Sequence, residues 1–201
     1  ILKFFLSKFF LIGSLVVGSS CSPFGSGSLK NYVSIQTNQR LINVELPKGY
    51  CVDENVGVST GYITTKVITN CVSVKQENII VFGRRPVDSV INLTVTDMKL
   101  PASLSEQDFL NSLVRDEKLE NLVKSANSVR LRINNKMVRN GLVVLDLQQN
   151  SAVSSVKKLR KYIFLIDQRI TIMTMANLDN KLKPEYKKFE SLVKLLKKAS
   201  S

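Results

Sequence analysis

The sequence predicts an α+β domain: an antiparallel β-sheet with two or three packed helices, one of them C-terminal. Three observations predict it. Short runs rich in Val, Ile and Thr, several with polar residues at alternate positions, recur through residues 32–96, as in half-buried strands. The spacing turns helical over residues 103–126 and again after Pro184. Between the two helical stretches, Asn140-Gly141 interrupts an apolar run, a strong signal for a tight hairpin and so for two neighbouring antiparallel strands.

Residues 32–37 and 41–46 read as short strands, with Ile42, Val44 and Leu46 alternating against Asn43 and Glu45. Pro47-Lys48-Gly49 is a turn signal. Residues 50–53 then lead into 54–61, expected as loop or a short helix. Residues 63–71 are rich in Thr, Val and Ile and read as a strand. Residues 79–82 are expected to form another, followed by a turn at Arg84-Arg85-Pro86. Residues 90–96 alternate well, with Ile91, Leu93 and Val95 on one face.

Ser103 with Glu106, and Ser105 with Asp108, both have capping-box spacing. Phe109, Leu110, Leu113 and Val114 follow at helical spacing, and Leu119, Leu122 and Val123 continue it after a break near Arg115. Val129, Leu131 and Ile133 alternate with Arg130 and Arg132, and Asn134-Asn135-Lys136 is expected to turn the chain. Asp167-Gln168-Arg169 is a second tight-turn candidate, between strands at 162–166 and 170–176. Pro184 opens the last helix at a position that tolerates it. Tyr186, Phe189, Leu192, Val193 and Leu196 form its apolar stripe, and lysines cover the rest.

The first thirty residues carry a different message. Lys3 and Lys8 precede a short apolar core over 9–17, and small residues at 18–20 lead to Cys21. That order describes a secretory signal peptide. An uncleaved membrane anchor is the alternative, although a span needs about 20 apolar residues. Ser20-Cys21 resembles the end of a bacterial lipoprotein signal, in which the cysteine receives lipid. Gly18 departs from it, since that family usually has Leu there. Ordinary cleavage before Cys21 is the rival reading. The expected organisation is a signal peptide over 1–20, a lipid-anchor cysteine and flexible tether over 21–30, and one α+β domain over 31–201. The implied location is the periplasmic side of a bacterial cell envelope.

Two further cysteines, Cys51 and Cys71, suit one disulfide in an exported chain. Two reduced, buried thiols are the alternative. The spacing is not that of a C-x-x-C redox pair.

Composition excludes several chemistries. No His is present, so Ser-His-Asp triads, Cys-His pairs and His-based zinc sites are impossible. Three cysteines cannot build a four-cysteine zinc site. No catalytic residue, metal or cofactor is therefore assigned, and the protein is expected not to be an enzyme. Two His-free enzymatic readings remain: a Ser-Lys site at Ser154 with Lys157, Ser155 with Lys158 or Ser191 with Lys194, all in Lys-rich runs where chance matches are expected, and carboxylates among Asp53, Glu54, Asp146 or Asp167, whose spacing does not pair them.

The formal net charge is +13, or +11 once Lys3 and Lys8 leave with the signal peptide. Such a balance favours anionic partners. The candidate contacts are Lys157, Lys158, Arg160 and Lys161 in one basic run, with Lys187, Lys194 and Lys198 on the last helix. A solvated charged face is the plainer explanation. With no Trp, and aromatics not interleaved with basic runs, a stacking surface for nucleic acid is not expected. The expected partners are the membrane, through the anchor, and either another envelope protein or anionic lipid.

The closing segment YIFLIDQRITIMTMANLDN, followed by FESLVKLL, resembles the end of PsbP-like domains. Tyr162, Phe164, Ile170, Ile172, Thr174, Phe189, Leu192 and Val193 carry the likeness. It implies an α/β/α sandwich whose final helix packs back on the sheet, and a non-catalytic binding or accessory role. The stretch LPKGYCVD is similar to one in exported alphaproteobacterial proteins. The cysteine pair departs from the wider PsbP-like fold, which does not require it. Neither resemblance carries over a functional residue.

Overall fold

A computed structural model describes residues 29–37, 40–60, 63–71, 89–115, 131–149, 158–177 and 186–200. Among them are ten strands and two helices: β1 (Leu29–Lys30), β2 (Tyr32–Gln36), β3 (Leu41–Glu45), β4 (Tyr50–Thr60), β5 (Ile63–Asn70), β6 (Ser89–Lys99), α1 (Glu106–Arg115), β7 (Leu131–Arg139), β8 (Leu142–Gln149), β9 (Lys158–Ile166), β10 (Arg169–Asn177) and α2 (Tyr186–Ser200). The fold is α+β, as the sequence predicts. The expected signal peptide, Cys21 and most of its tether, the strand at 79–82, the turn at Arg84-Arg85-Pro86, the helical continuation at 116–126 and the opening at Pro184 lie outside the described residues.

Eight strands form one sheet in the order β1-β4-β5-β6-β10-β9-β8-β7, and every pairing is antiparallel. β2 and β3 form a separate two-stranded ribbon. β7 to β10 run as a meander that returns β10 alongside β6. Two tight turns make it possible. Asn140 and Gly141 both have positive φ, 53° and 67°, the backbone a type I′ hairpin turn demands. Asp167 and Gln168 do the same at 47° and 60°, where Asp tolerates the left-handed region better than most residues.

Side chains leave a strand on alternate faces, and here both faces are buried against something. On one face Tyr162, Phe164, Ile166, Met173, Met175, Ile91 and Leu93 meet Phe189, Leu192, Val193 and Leu196 of α2, together with Val33, Ile35, Ile42 and Val44 of the ribbon. On the other, Leu145, Leu147, Ile163, Leu165 and Ile172 meet Phe109, Leu110 and Leu113 of α1. The result is three layers: α1, the large sheet, then α2 with the ribbon. Phe189, Leu192, Val193 and Leu196 of α2 are each at most 1% exposed, which contributes roughly 2 kcal/mol apiece before ordering costs.

α1 starts where a cap can hold it. The Asp108 amide donates to Ser105 Oγ at 3.1 Å, and that hydroxyl donates to Asp108 Oδ2 at 2.6 Å. Of the two candidate boxes, Ser105 with Asp108 forms the cap. Glu106 instead turns its carboxylate to Lys197 of α2, 2.7 Å away.

Two expectations are corrected. Residues 54–60 are neither loop nor helix: β4 continues to Thr60, with a register shift between Asp53 and Val58. Asn134-Asn135-Lys136 does not turn the chain, because β7 passes through it with an irregularity between Ile133 and Asn135. One extra residue is absorbed in β7 and three in β4, so each strand persists although its alternation slips.

Candidate functional site

Cys51 and Cys71 are joined, with Cα atoms 5.0 Å apart. Cys51 sits near the start of β4, and Cys71 follows the end of β5, where Tyr50 pairs with Asn70. The bond therefore closes the open base of the β4–β5 hairpin, and the Cys71 amide adds a hydrogen bond to the Gly49 carbonyl at 2.9 Å. Cys21 lies outside the described residues.

The basic run on β9 does not form one surface, because neighbouring residues of a strand face opposite ways. Lys157 lies outside the described residues. Lys158 is exposed at the start of the strand. Arg160 points towards α2 and is engaged on every side. It donates to Asp146 of β8 through Nε at 2.6 Å and Nη2 at 3.1 Å. Its Nη1 lies 3.9 Å from Glu190 of α2, and its guanidinium carbon stands 3.8 Å from the centre of the Tyr186 ring. Glu190 also holds Arg139 of β7 at 2.7 Å. Four elements, β7, β8, β9 and α2, are tied through two guanidiniums and two carboxylates.

The electrostatics follow from that geometry. Burial alone would lower the pKa of Arg160, but the hydrogen bonds and charge of Asp146 outweigh it and hold the guanidinium above its ordinary value. Burial pushes the Tyr162 phenol up to about 12 against the pull of Arg160. The Tyr162 oxygen is buried without a hydrogen bond of good geometry, so its contact with Arg160 is electrostatic. Burial raises Tyr186 too, with Arg160 opposing.

Lys161 faces the other way, towards the α1 side, and is 6% exposed. Burial lowers its ammonium to about 8, since a desolvated cation gives up its proton more readily. It lies in a row that crosses five strands in direct register: Asp53, Val67, Asn92, Thr174, Lys161. Asp53 is fully buried, Thr174 is 8% exposed, and the Asn92 carbonyl oxygen is buried without a hydrogen-bond partner. One row below, the Thr65 and Thr94 hydroxyls meet at 3.1 Å. A polar stripe through a sheet penalises a slip of register, which would strand these groups against apolar neighbours.

The other basic candidates lie elsewhere. Lys187, Lys194 and Lys198 are exposed on the outer side of α2, one layer outside Arg160. The structure thus brings these three together along one stripe of the helix and leaves Arg160 and Lys161 out of it. Sequence reasoning missed what accompanies them. Leu195 on the same outer side is 50% exposed, and Tyr32 and Leu41 on the outer face of the ribbon are 36% and 55% exposed.

The carboxylates weighed for chemistry do not converge. Asp146 is held by Arg160, Asp167 sits in the β9–β10 turn with Arg40 at 3.7 Å, and Asp53 lies on the α1 side of β4. The Glu54 side chain lies outside the described residues. Among the described residues no group of His, Cys, Asp and Glu could hold a metal ion, and no helix is long and apolar enough to cross a membrane.

No family model and no curated protein matches the chain. Among solved structures it is similar to the solution structure of cyanobacterial PsbP (CyanoP) from Synechocystis sp. PCC 6803, with 11% identity and a TM-score of 0.45, covering 90% of this chain and 96% of that one. Similarity at this level assigns neither a family nor an activity.

Proposed function

We propose that the protein is an exported, lipid-anchored envelope protein with a non-catalytic binding or accessory role. The observation that carries this reading is the Cys51–Cys71 bond. Disulfides form and persist in oxidising compartments outside the cytosol, and the sequence opens with an export signal ending at Ser20-Cys21. Acyl chains on Cys21 would hold the domain at a membrane, each buried methylene contributing about 0.8 kcal/mol. The non-catalytic part is supported by how the ionisable groups are used. Asp146, Glu190, Arg139 and Arg160 are spent on joining strands to α2, and Asp53 and Lys161 on the interior of the sheet.

The test is intact mass of the mature chain from native membranes, with metabolic labelling by a fatty-acid analogue. The expected result is a chain beginning at Cys21 with an acyl increment, a gain of about two daltons on reduction, and no label on Cys21→Ala. Equal labelling of wild type and variant sinks the anchor.

A further inference from the structure

We infer that the outer layer of the domain, formed by α2 and the β2–β3 ribbon, is a membrane-contacting face that lies against anionic phospholipid head groups. The inference rests on the anchored reading proposed above and names the surface and the partner that the anchor brings together. Three independent features fall on this one layer.

The first is charge. Lys187, Lys194 and Lys198 follow at intervals of seven and four residues, so they share one stripe of the helix, and all three are exposed. The second is apolar. Of the four large apolar side chains exposed among the described residues, Leu195, Leu41 and Tyr32 belong to this layer, and the fourth, Met137, belongs to the edge strand β7. Tyr32 and Leu41 alternate with Val33 and Ile42, which are buried against the sheet, so they point away from the domain. Cations beside protruding Leu and Tyr suit an interface where head groups meet acyl chains.

The third is reach. β1 begins eight residues after Cys21, and β2 begins three residues further on. Eight extended residues span at most about 28 Å. An acylated Cys21 therefore keeps Leu29, at the edge of the sheet and three residues before the ribbon, within that distance of the bilayer, and the start of the ribbon within about 40 Å, whereas α1 packs on the other face of the sheet. Membrane lipid is preferred to a soluble polyanion because the apolar side chains add nothing to the binding of a free anion.

The chain contains no tryptophan, so a single introduced one reports its own surroundings. Leu195→Trp and, as the control on α1, Gln107→Trp are purified as full-length mature lipoprotein and reconstituted into vesicles. The vesicles contain phosphatidylcholine alone or with phosphatidylglycerol, each with brominated acyl chains as quencher. Acylation is checked first by mass, and a chain without acyl groups removes both the anchor and this inference.

With an acylated chain, emission from position 195 is expected to drop roughly twofold on phosphatidylglycerol vesicles and to change little at position 107. The drop should vanish in Lys187→Glu/Lys194→Glu/Lys198→Glu and in 1 M salt, where charges are screened within about 3 Å. An acylated chain whose tryptophan at 195 is not quenched, or is quenched no more than at 107, or equally on phosphatidylcholine, overturns the inference and leaves the anchor standing.

Discussion

Arg160 and Asp146 face each other in direct register across β8 and β9, and the guanidinium clasps the carboxylate with two hydrogen bonds. Their side chains are 20% and 28% exposed, so neither charge is fully solvated. Removing one partner strands the other, and for such a pair that penalty exceeds the net worth of the contact. Asp146→Ala should cost about 1–3 kcal/mol in denaturant unfolding. Arg160→Lys should recover only part, because an ammonium cannot grip both oxygens or lie flat on Tyr186. A double-mutant cycle with no coupling between the two positions would contradict this account.

The Cys51–Cys71 bond closes a loop of twenty residues. In the chain-entropy model that stabilises the fold by about 3 kcal/mol. Reduction, or the double substitution Cys51→Ala/Cys71→Ala, should lower the unfolding midpoint without dissolving the sheet, because the β4–β5 ladder and its neighbour β6 remain. Circular dichroism with and without reductant reads this directly. An unchanged midpoint would mean that the hairpin is secured by its ladder alone.

Lys161 gives a pH dependence with a defined sign. Its folded-state pKa, near 8, lies below the ordinary lysine value of 10.5. Between those values the unfolded chain binds more protons, so this group makes stability rise with pH. Below about pH 8 both states carry the proton and the penalty is full. The Tyr162 phenol opposes it only from about pH 10 upwards, because its own pKa is raised towards 12. Lys161→Met should therefore flatten the stability profile between about pH 8 and 10. A slope unchanged by the substitution would assign it to other groups.

Gly141 is required twice over. Its φ of +67° is in the left-handed region, and an added Cβ would stand 2.6 Å from Lys197 Nζ. That ammonium is occupied, donating to the Gly141 carbonyl at 3.0 Å and to Glu106 at 2.7 Å. Gly141→Ala should cost about 1–2 kcal/mol. In a Lys197→Ala background the cost should shrink to the backbone part alone, which equilibrium unfolding of the four variants would resolve.

Much of the fold is legible in the sequence where a local rule decides it. Asn140-Gly141 dictates a hairpin by backbone sterics, Ser105 and Asp108 announce a helix start, and Phe189, Leu192, Val193 and Leu196 mark the buried side of α2. What was hidden depended on register. β9 is a central strand buried on both faces, so Lys161 has no local mark that separates it from exposed Lys158. The partnership of Arg160 with Asp146 exists only because two strands align, and neither residue's neighbours in the chain reveal it. Irregularities in β4 and β7 disguised one strand as loop or a short helix and the other as a turn, since Asn134-Asn135 has turn chemistry that the sheet overrides. The exposure of Leu195 was equally hidden, because the stripe beside it reads as core.

The helix α2 supplies four core side chains and, through Glu190 and Lys197, the contacts that fasten two strands, the β7–β8 turn and α1. Its residues are also made after every strand of the sheet. During synthesis the chain therefore passes through an interval in which the ten described strands have been made and the face of the sheet shared with the ribbon still lacks α2. In that interval Tyr162, Phe164 and their neighbours are open to any passing apolar surface. α2 thus completes this face, and a chain halted before it would be a substrate for chaperones and proteases rather than a smaller version of the same protein.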